Sequence, residues 1–138
     1  MFTSYHSMKK TEFESIGEIP KSWDLIKLKF FSNIIGRIGF RGYTSSDLVD
    51  EGEGTITLGP PNIENQKLNL TNKKYLSWAK YDESPEIKIY NGDLLLVKTA
   101  SVGKVALVEN LDEPTTINPQ LTVFKNIRII VFYRIIIT

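Results

Sequence analysis

Residues 66–81, QKLNLTNKKYLSWAKY, hold Lys67, Lys73, Lys74 and Lys80 with no acid among them. Gln66, Asn69 and Asn72 supply amides, and Tyr75, Trp78 and Tyr81 are interleaved. Lysines meet phosphates, amides pair with adenine edges, and aromatics pack on sugars or methyl groups, so this stretch has the chemistry of a nucleic-acid surface. A second basic point is GRIGFRG at 36–42, with Arg37 and Arg41. The planar arginine fork suits guanine O6 and N7. The same loop can also hold a phosphate or simply turn the chain. Lys98, Thr99, Ser101 and Lys104 line a third turn without acids. The bland alternative is a solvated lysine face with its aromatics anchored in the core. Asp47, Asp50, Glu51 and Glu53 follow the arginine loop, where they can orient Arg41 or face away from a polyanion.

Other chemistries fit less well. GKV at 103–105 matches the end of a phosphate-binding P-loop, but Lys98 stands where the first glycine belongs and Val105 where Ser or Thr must follow the lysine. GRIGFRG lacks the GxGxxG spacing of a dinucleotide site. The single histidine, His6, lies near the N-terminus, so a Ser-His-Asp triad has no base. Asp82, Glu86 and Lys88 have the acid, ExK spacing of a magnesium nuclease. On an alternating strand, EIK would put Glu86 and Lys88 on one face, with Ile87 and Ile89 inward. The favoured reading of that pattern is an ordinary solvated strand face. Carboxylate-pair hydrolysis has sixteen acids to draw on, but no pair stands out.

Side chains of this kind need a scaffold, and the chain is large enough to supply one. Its 138 residues suit one domain, and 41% are hydrophobic. Seventeen basic against sixteen acidic residues leave a net charge of +1, so a polyanion surface must come from local segregation of charge. No cysteine is present, which removes disulfides, thiolate nucleophiles and cysteine-held zinc and fits a reducing cytoplasm. The N-terminus has no apolar signal core, and Met8 is as good a start as Met1. IIVFYRIIIT at 129–138 is too short to span a bilayer and carries Arg134, so a soluble protein is expected.

Residues 1–15 read as a frayed tail. WDLIKLKFFSNII reads as a short strand and then a helical turn or two. Residues 36–42 read as a loop, and Thr44 or Ser45 caps a helix through Val49. TITLG is a strand and GPPNIENQ a rigid loop. LNLTNKKYLS is a polar strand or ribbon, and Ser77 caps a short helix that Pro85 stops. EIKIY alternates as a strand, and Asn91-Gly92 is a hairpin turn. DLLLVKT reads as an almost wholly apolar strand, and so a buried one. KVALVEN is a strand, DEPTTINPQ a loop and LTVFKNI a strand. The sum is α+β: a twisted, mainly antiparallel or mixed sheet with short helices.

Taken in order, IGEIPKSW-x-x-x-KL, GRIGFRGYTS, TITLGPPNI, WAKYDESPEIKIYNGDLLLVKTASVGKVALVEN and INPQLTVFKN resemble a target recognition domain. Such a domain is the DNA-reading module in the specificity subunit of type I restriction–modification systems. The resemblance runs from about residue 16 to 126, and GDLLLVK-x-x-x-x-GK-x-A with the following NPQL is its most specific part. It implies a non-catalytic DNA methylase specificity domain that reads part of a split duplex target through the major groove. It also implies a methyltransferase subunit as partner, which binds S-adenosylmethionine, and through the complex a restriction subunit, which binds ATP. No cofactor is expected on this chain. Arg37, Arg41 and Thr44 match the family's DNA-side loop, and Lys98, Thr99 and Lys104 its strand–turn segment. Lys67, Asn69, Asn72, Lys73 and Lys74 fall in the region where specificity is encoded. Residues 127–138, IRIIVFYRIIIT, depart from the family, which continues into a long spacer helix. The expectation there is a truncated or frameshifted product, or a chain trimmed to one domain, with an apolar tail that pairs edge to edge with another copy.

Overall fold

The computed structural model describes residues 7–99, 101–127 and 135–137. They form two compact units, Ser32–Ile127 and a smaller one whose described residues are 7–31 and 135–137. The sequence reading had instead grouped residues 16–31 with the recognition region.

In the smaller unit, β1 (Met8–Lys10) pairs antiparallel with β2 (Glu18–Pro20). Gly17, at φ 71°, turns the chain between them, and its carbonyl accepts from Thr11 N. Residues 8–10 of the expected frayed tail are therefore in a ladder, while His6 lies outside the described residues. β3 (Asp24–Ile26) pairs in parallel with Ile135–Ile137. This part of the apolar tail finds its ladder partner in its own chain; residues 128–134 and 138 lie outside the described residues.

In Ser32–Ile127 the described residues form strands β4 (Asn33–Gly36), β5 (Leu48–Val49), β6 (Gly54–Leu58), β7 (Ile63–Glu64), β8 (Lys67–Leu68), β9 (Tyr75–Ser77), β10 (Leu94–Val97), β11 (Val105–Leu107), β12 (Thr115–Ile117) and β13 (Leu121–Lys125) and one α-helix, α1 (Trp78–Asp82), which follows β9 directly. One antiparallel sheet has the order β11-β10-β13-β4. The second has the order β12-β6-β9-β5, with β12 parallel to β6. β7 and β8 form a hairpin. The period of two along β10 turns Leu95 and Val97 inward, where they share a core with Ala106, Val123, Ile56 and Ile117. Leu94 and Leu96 are only partly buried, so the burial of β10 is complete on one face.

Several local expectations are corrected. Residues 33–36 are strand β4, not helix, because antiparallel pairing with β13 overrides the helical spacing. The helix expected from Thr44 through Val49 is a single 3-10 turn, Ser45–Asp47, which leads into β5. Residues 86–90 are no strand: Pro85 opens a 3-10 turn over Pro85–Ile87, although Ile87 and Ile89 are buried as the alternation implied. The loop expected at 112–120 contains β12, all of it buried. Its threonine hydroxyls are satisfied by the Glu113 and Ile87 carbonyls, which lets polar residues occupy a buried strand. At Asn91-Gly92 only Gly92 takes a positive φ (94°), the pattern of a type II turn rather than a hairpin. The tight two-residue hairpin is Asn65-Gln66, at φ 50° and 63°, between β7 and β8.

Gly54 opens β6 where β9 passes closest. A Cβ there would lie 2.1 Å from the Leu76 carbonyl oxygen and 2.6 Å from Val49 Cγ2. Backbone on one side and a packed valine on the other leave no cheap relief. Gly54→Ala is expected to destabilise the unit by about 1–3 kcal/mol, the usual range for overpacking. The readout is a lower urea midpoint at unchanged slope.

Candidate nucleic-acid interface

β4 and β10 each pair antiparallel with β13, so they run in the same direction. The chain therefore leaves Gly36 and Val97 at the same end of the sheet, where β11 and β13 also begin. Lys98 is fixed there by its backbone N–H on the Gln120 carbonyl (3.0 Å). Its ammonium lies 3.2 Å from where a Cβ on Gly36 would stand, so a side chain at 36 would crowd it. The turn back into β11 is closed by Gly103 N on the Val97 carbonyl (3.1 Å) and by Val97 N on the Lys104 carbonyl (2.9 Å). Gly103 has φ 94°, which favours glycine. Lys98, Thr99, Ser101, Val102 and Lys104 are all exposed.

The tip of the β7–β8 hairpin reaches the same turn. A cleft of about 330 Å³ separates Asn65 and Gln66 from Gly103 and Lys104, and Lys67 follows the tip, exposed. Glu64, the acid in that cleft, accepts from Asn69 Nδ2 at 2.7 Å. Among the described residues, Lys67, Lys98 and Lys104 make no salt bridge. A cleft lined by Lys104 and the amides of Asn65 and Gln66, with Lys98 and Lys67 exposed on the flanking segments and Glu64 as its one acid, suits a polyanion with hydrogen-bonding edges.

The arginine loop is used differently from the expectation. Arg37 is 4% exposed and points into the unit. Its Nε donates to the Ile117 carbonyl (3.0 Å), and its two terminal nitrogens donate to the Arg41 carbonyl (3.1 Å) and Thr116 Oγ1 (3.2 Å). The guanidinium also lies 5.3 Å from the Tyr43 ring. Burial lowers its pKa, while Tyr43, Glu83 and Glu86 push it back up. Arg37 thus fastens the loop to β12, and three of its donors are used inside the fold. Arg41 bonds Glu86 at 3.3 Å. Lys80 Nζ donates to the Gly42 carbonyl (3.3 Å) and pairs with Glu83. Thr44 is exposed, but its N–H donates to Asp47 (2.8 Å) and its hydroxyl bonds Ser46 (2.7 Å), so it serves as the cap of the 3-10 turn.

The 66–81 stretch divides as well. Lys73 pairs with Glu113, which raises its pKa above the ordinary lysine value. Lys74 is exposed without a salt bridge. Asn69 is taken up by Glu64 and by Thr71 N (3.0 Å). Asn72 is exposed, and its carbonyl accepts from Asn62. Asn62, which sequence reasoning passed over, organises this ribbon. Its Oδ1 accepts from Gly59 N, and its Nδ2 donates to the Asn69 and Asn72 carbonyls. Asn65 was also passed over. The signal for it is the polar pair Asn65-Gln66 between Ile63 and Leu68, which meet across the hairpin.

The acids of the nuclease reading do not converge. Asp82 pairs with Lys88 at 2.7 Å, and Glu86 is on Arg41. The strand that was to carry Glu86 and Lys88 on one face is a 3-10 turn.

No family model matches the chain. Over 115 residues, 81% of the chain, it is 29% identical to a curated protein of Methanocaldococcus jannaschii named as a type I restriction enzyme MjaX specificity subunit. The chain spans 25% of that protein's length. By sequence, then, the chain is similar to part of a type I restriction enzyme specificity subunit.

Proposed function

We propose that this chain binds double-stranded DNA in a sequence-specific manner, as a non-catalytic recognition module of a type I restriction–modification system. The observation that carries the reading is the end of the first sheet. There Lys104, from a turn without acids, faces Asn65 and Gln66 of the hairpin tip across a cleft, Lys98 and Lys67 are exposed on the flanking segments, and the three lysines make no salt bridge among the described residues. Similarity to part of a type I restriction enzyme specificity subunit supports the reading. In that assembly the module brings a methyltransferase subunit, and through it a restriction subunit, to the DNA, in the cytoplasm and without a cofactor of its own. Lysines position such a module on phosphates, while amides and hydroxyls beside them read base edges.

The test is selection from a random duplex pool at moderate salt with magnesium, followed by sequencing of the retained DNA. A short enriched motif on intact duplexes is expected. Retention without any motif would reduce the reading to backbone binding, and no retention, or nicked DNA, would overturn it.

A further inference from the structure

Two aliphatic side chains stand out from this sheet end. Ile38 is 47% exposed and Val102 is 72% exposed. Single exposed aliphatics are ordinary on protein surfaces. These two differ in where they are held. Ile38, at φ −77° and ψ 139°, sits between buried Arg37 and the 3-10 turn Gly39–Arg41. Its loop is fastened by Arg37 to β12, by Arg41 to Glu86 and through the Gly42 carbonyl to Lys80. The loop is tied on both sides of Ile38, so the side chain is presented rather than left loose. Val102 is at the tip of the β10–β11 turn, between Lys98 and Lys104. Lys98 Nζ lies against Gly36, two residues before Ile38. Of the four basic side chains in residues 36–42 and 98–104, Arg37 is buried and Arg41 is held by Glu86, which leaves Lys98 and Lys104 exposed beside the two aliphatics, with no acid in either segment.

We propose that Ile38 and Val102 are specificity-determining residues that pack against thymine 5-methyl groups in the major groove. Lys98 and Lys104 hold the flanking phosphates. This rests on the DNA-binding reading above. The thymine methyl is the apolar mark that separates T·A from the other pairs in that groove. β-branched side chains meet it with little rotamer entropy to lose. An apolar contact carries no charge, so it adds sequence preference without adding salt dependence.

The test uses the duplex selected from the random pool, with deoxyuridine replacing thymidine one position at a time, which removes only the methyl group. The unmodified chain is expected to lose about 4-fold in affinity at one or two positions, the worth of one buried methyl. Ile38→Ala and Val102→Ala should each lose a similar factor on the thymidine duplex. Each variant should lose nothing further at one of those deoxyuridine positions, at an unchanged salt slope. Both side chains are exposed, so the melting temperature should hold. A motif without thymine, deoxyuridine that is neutral everywhere, or losses that simply multiply would overturn this proposal and leave DNA binding standing. So would variants that bind DNA normally but lose a methyltransferase subunit, since the tips would then face protein. Failure of the unmodified chain to retain any DNA would remove both readings.

Discussion

Arg37→Ala is expected to lower the unfolding free energy of the Ser32–Ile127 unit by about 2–4 kcal/mol. The side chain is 4% exposed and donates to two backbone carbonyls and a threonine hydroxyl. Truncation leaves buried acceptors unpaired, at about 1–3 kcal/mol for such a group, and opens a void beside β12. Arg37→Met separates the two effects, because it fills the volume but restores no donor. Arg37→Lys should rescue only in part, since a point charge cannot serve three acceptors in one plane. Arg41→Ala is the contrast. Its pair with Glu86 is about a third exposed on either side, and such pairs are worth about 1 kcal/mol or less. Urea denaturation of the variants gives the comparison. Equal midpoints for Arg37→Ala and the parent would show that the loop is not fastened in this way.

The two arginines also show what the sequence could and could not reveal. Arg37 and Arg41 are equivalent as letters in GRIGFRG, and residue type alone made both surface contacts. What separates them is β12, a buried strand whose Thr115-Thr116 read as loop because of its polarity and the prolines on either side. Once that strand pairs with β6, its carbonyl and hydroxyl become acceptors for the arginine that passes over them. The strands at 54–58, 94–97, 105–107 and 121–125 were legible because local alternation and tertiary burial agree there. β4 was not, because spacing within one segment says nothing about a partner ninety residues away. EIKIY failed for a related reason. Its alternation reports burial of Ile87 and Ile89 correctly, but Pro85 shapes the backbone and Ile89 N finds only the Thr115 carbonyl. At the candidate interface, the acid-free turn 98–104 was legible from composition. Its meeting with the Asn65–Lys67 tip was not, since it depends on where a separate hairpin lies along β11.

Lys98→Gln with Lys104→Gln is expected to produce the largest loss of DNA affinity of any pair of substitutions in this chain. The net charge is only +1, so a polyanion is held by local charge or not at all. Each lysine on a phosphate releases counterions and contributes about 0.9 to the slope of log K against log salt. Two removed contacts flatten that slope by about 1.8, which at 0.1 M salt amounts to roughly 60-fold in affinity. The loss should be nearly uniform across sequences, because phosphates are the same everywhere. Lys73→Gln is the internal control. That lysine is already neutralised by Glu113, so its removal should leave the slope unchanged. Titrations at several salt concentrations, on the selected duplex and on an unrelated one, read slope and specificity together. A double variant that kept the parent slope would move the phosphate contacts away from this sheet end. A Lys73 variant that flattened it would place them on the 66–81 ribbon, where composition alone had pointed. Glutamine keeps the length and polarity of lysine at exposed positions, so a changed slope can be assigned to charge rather than to unfolding.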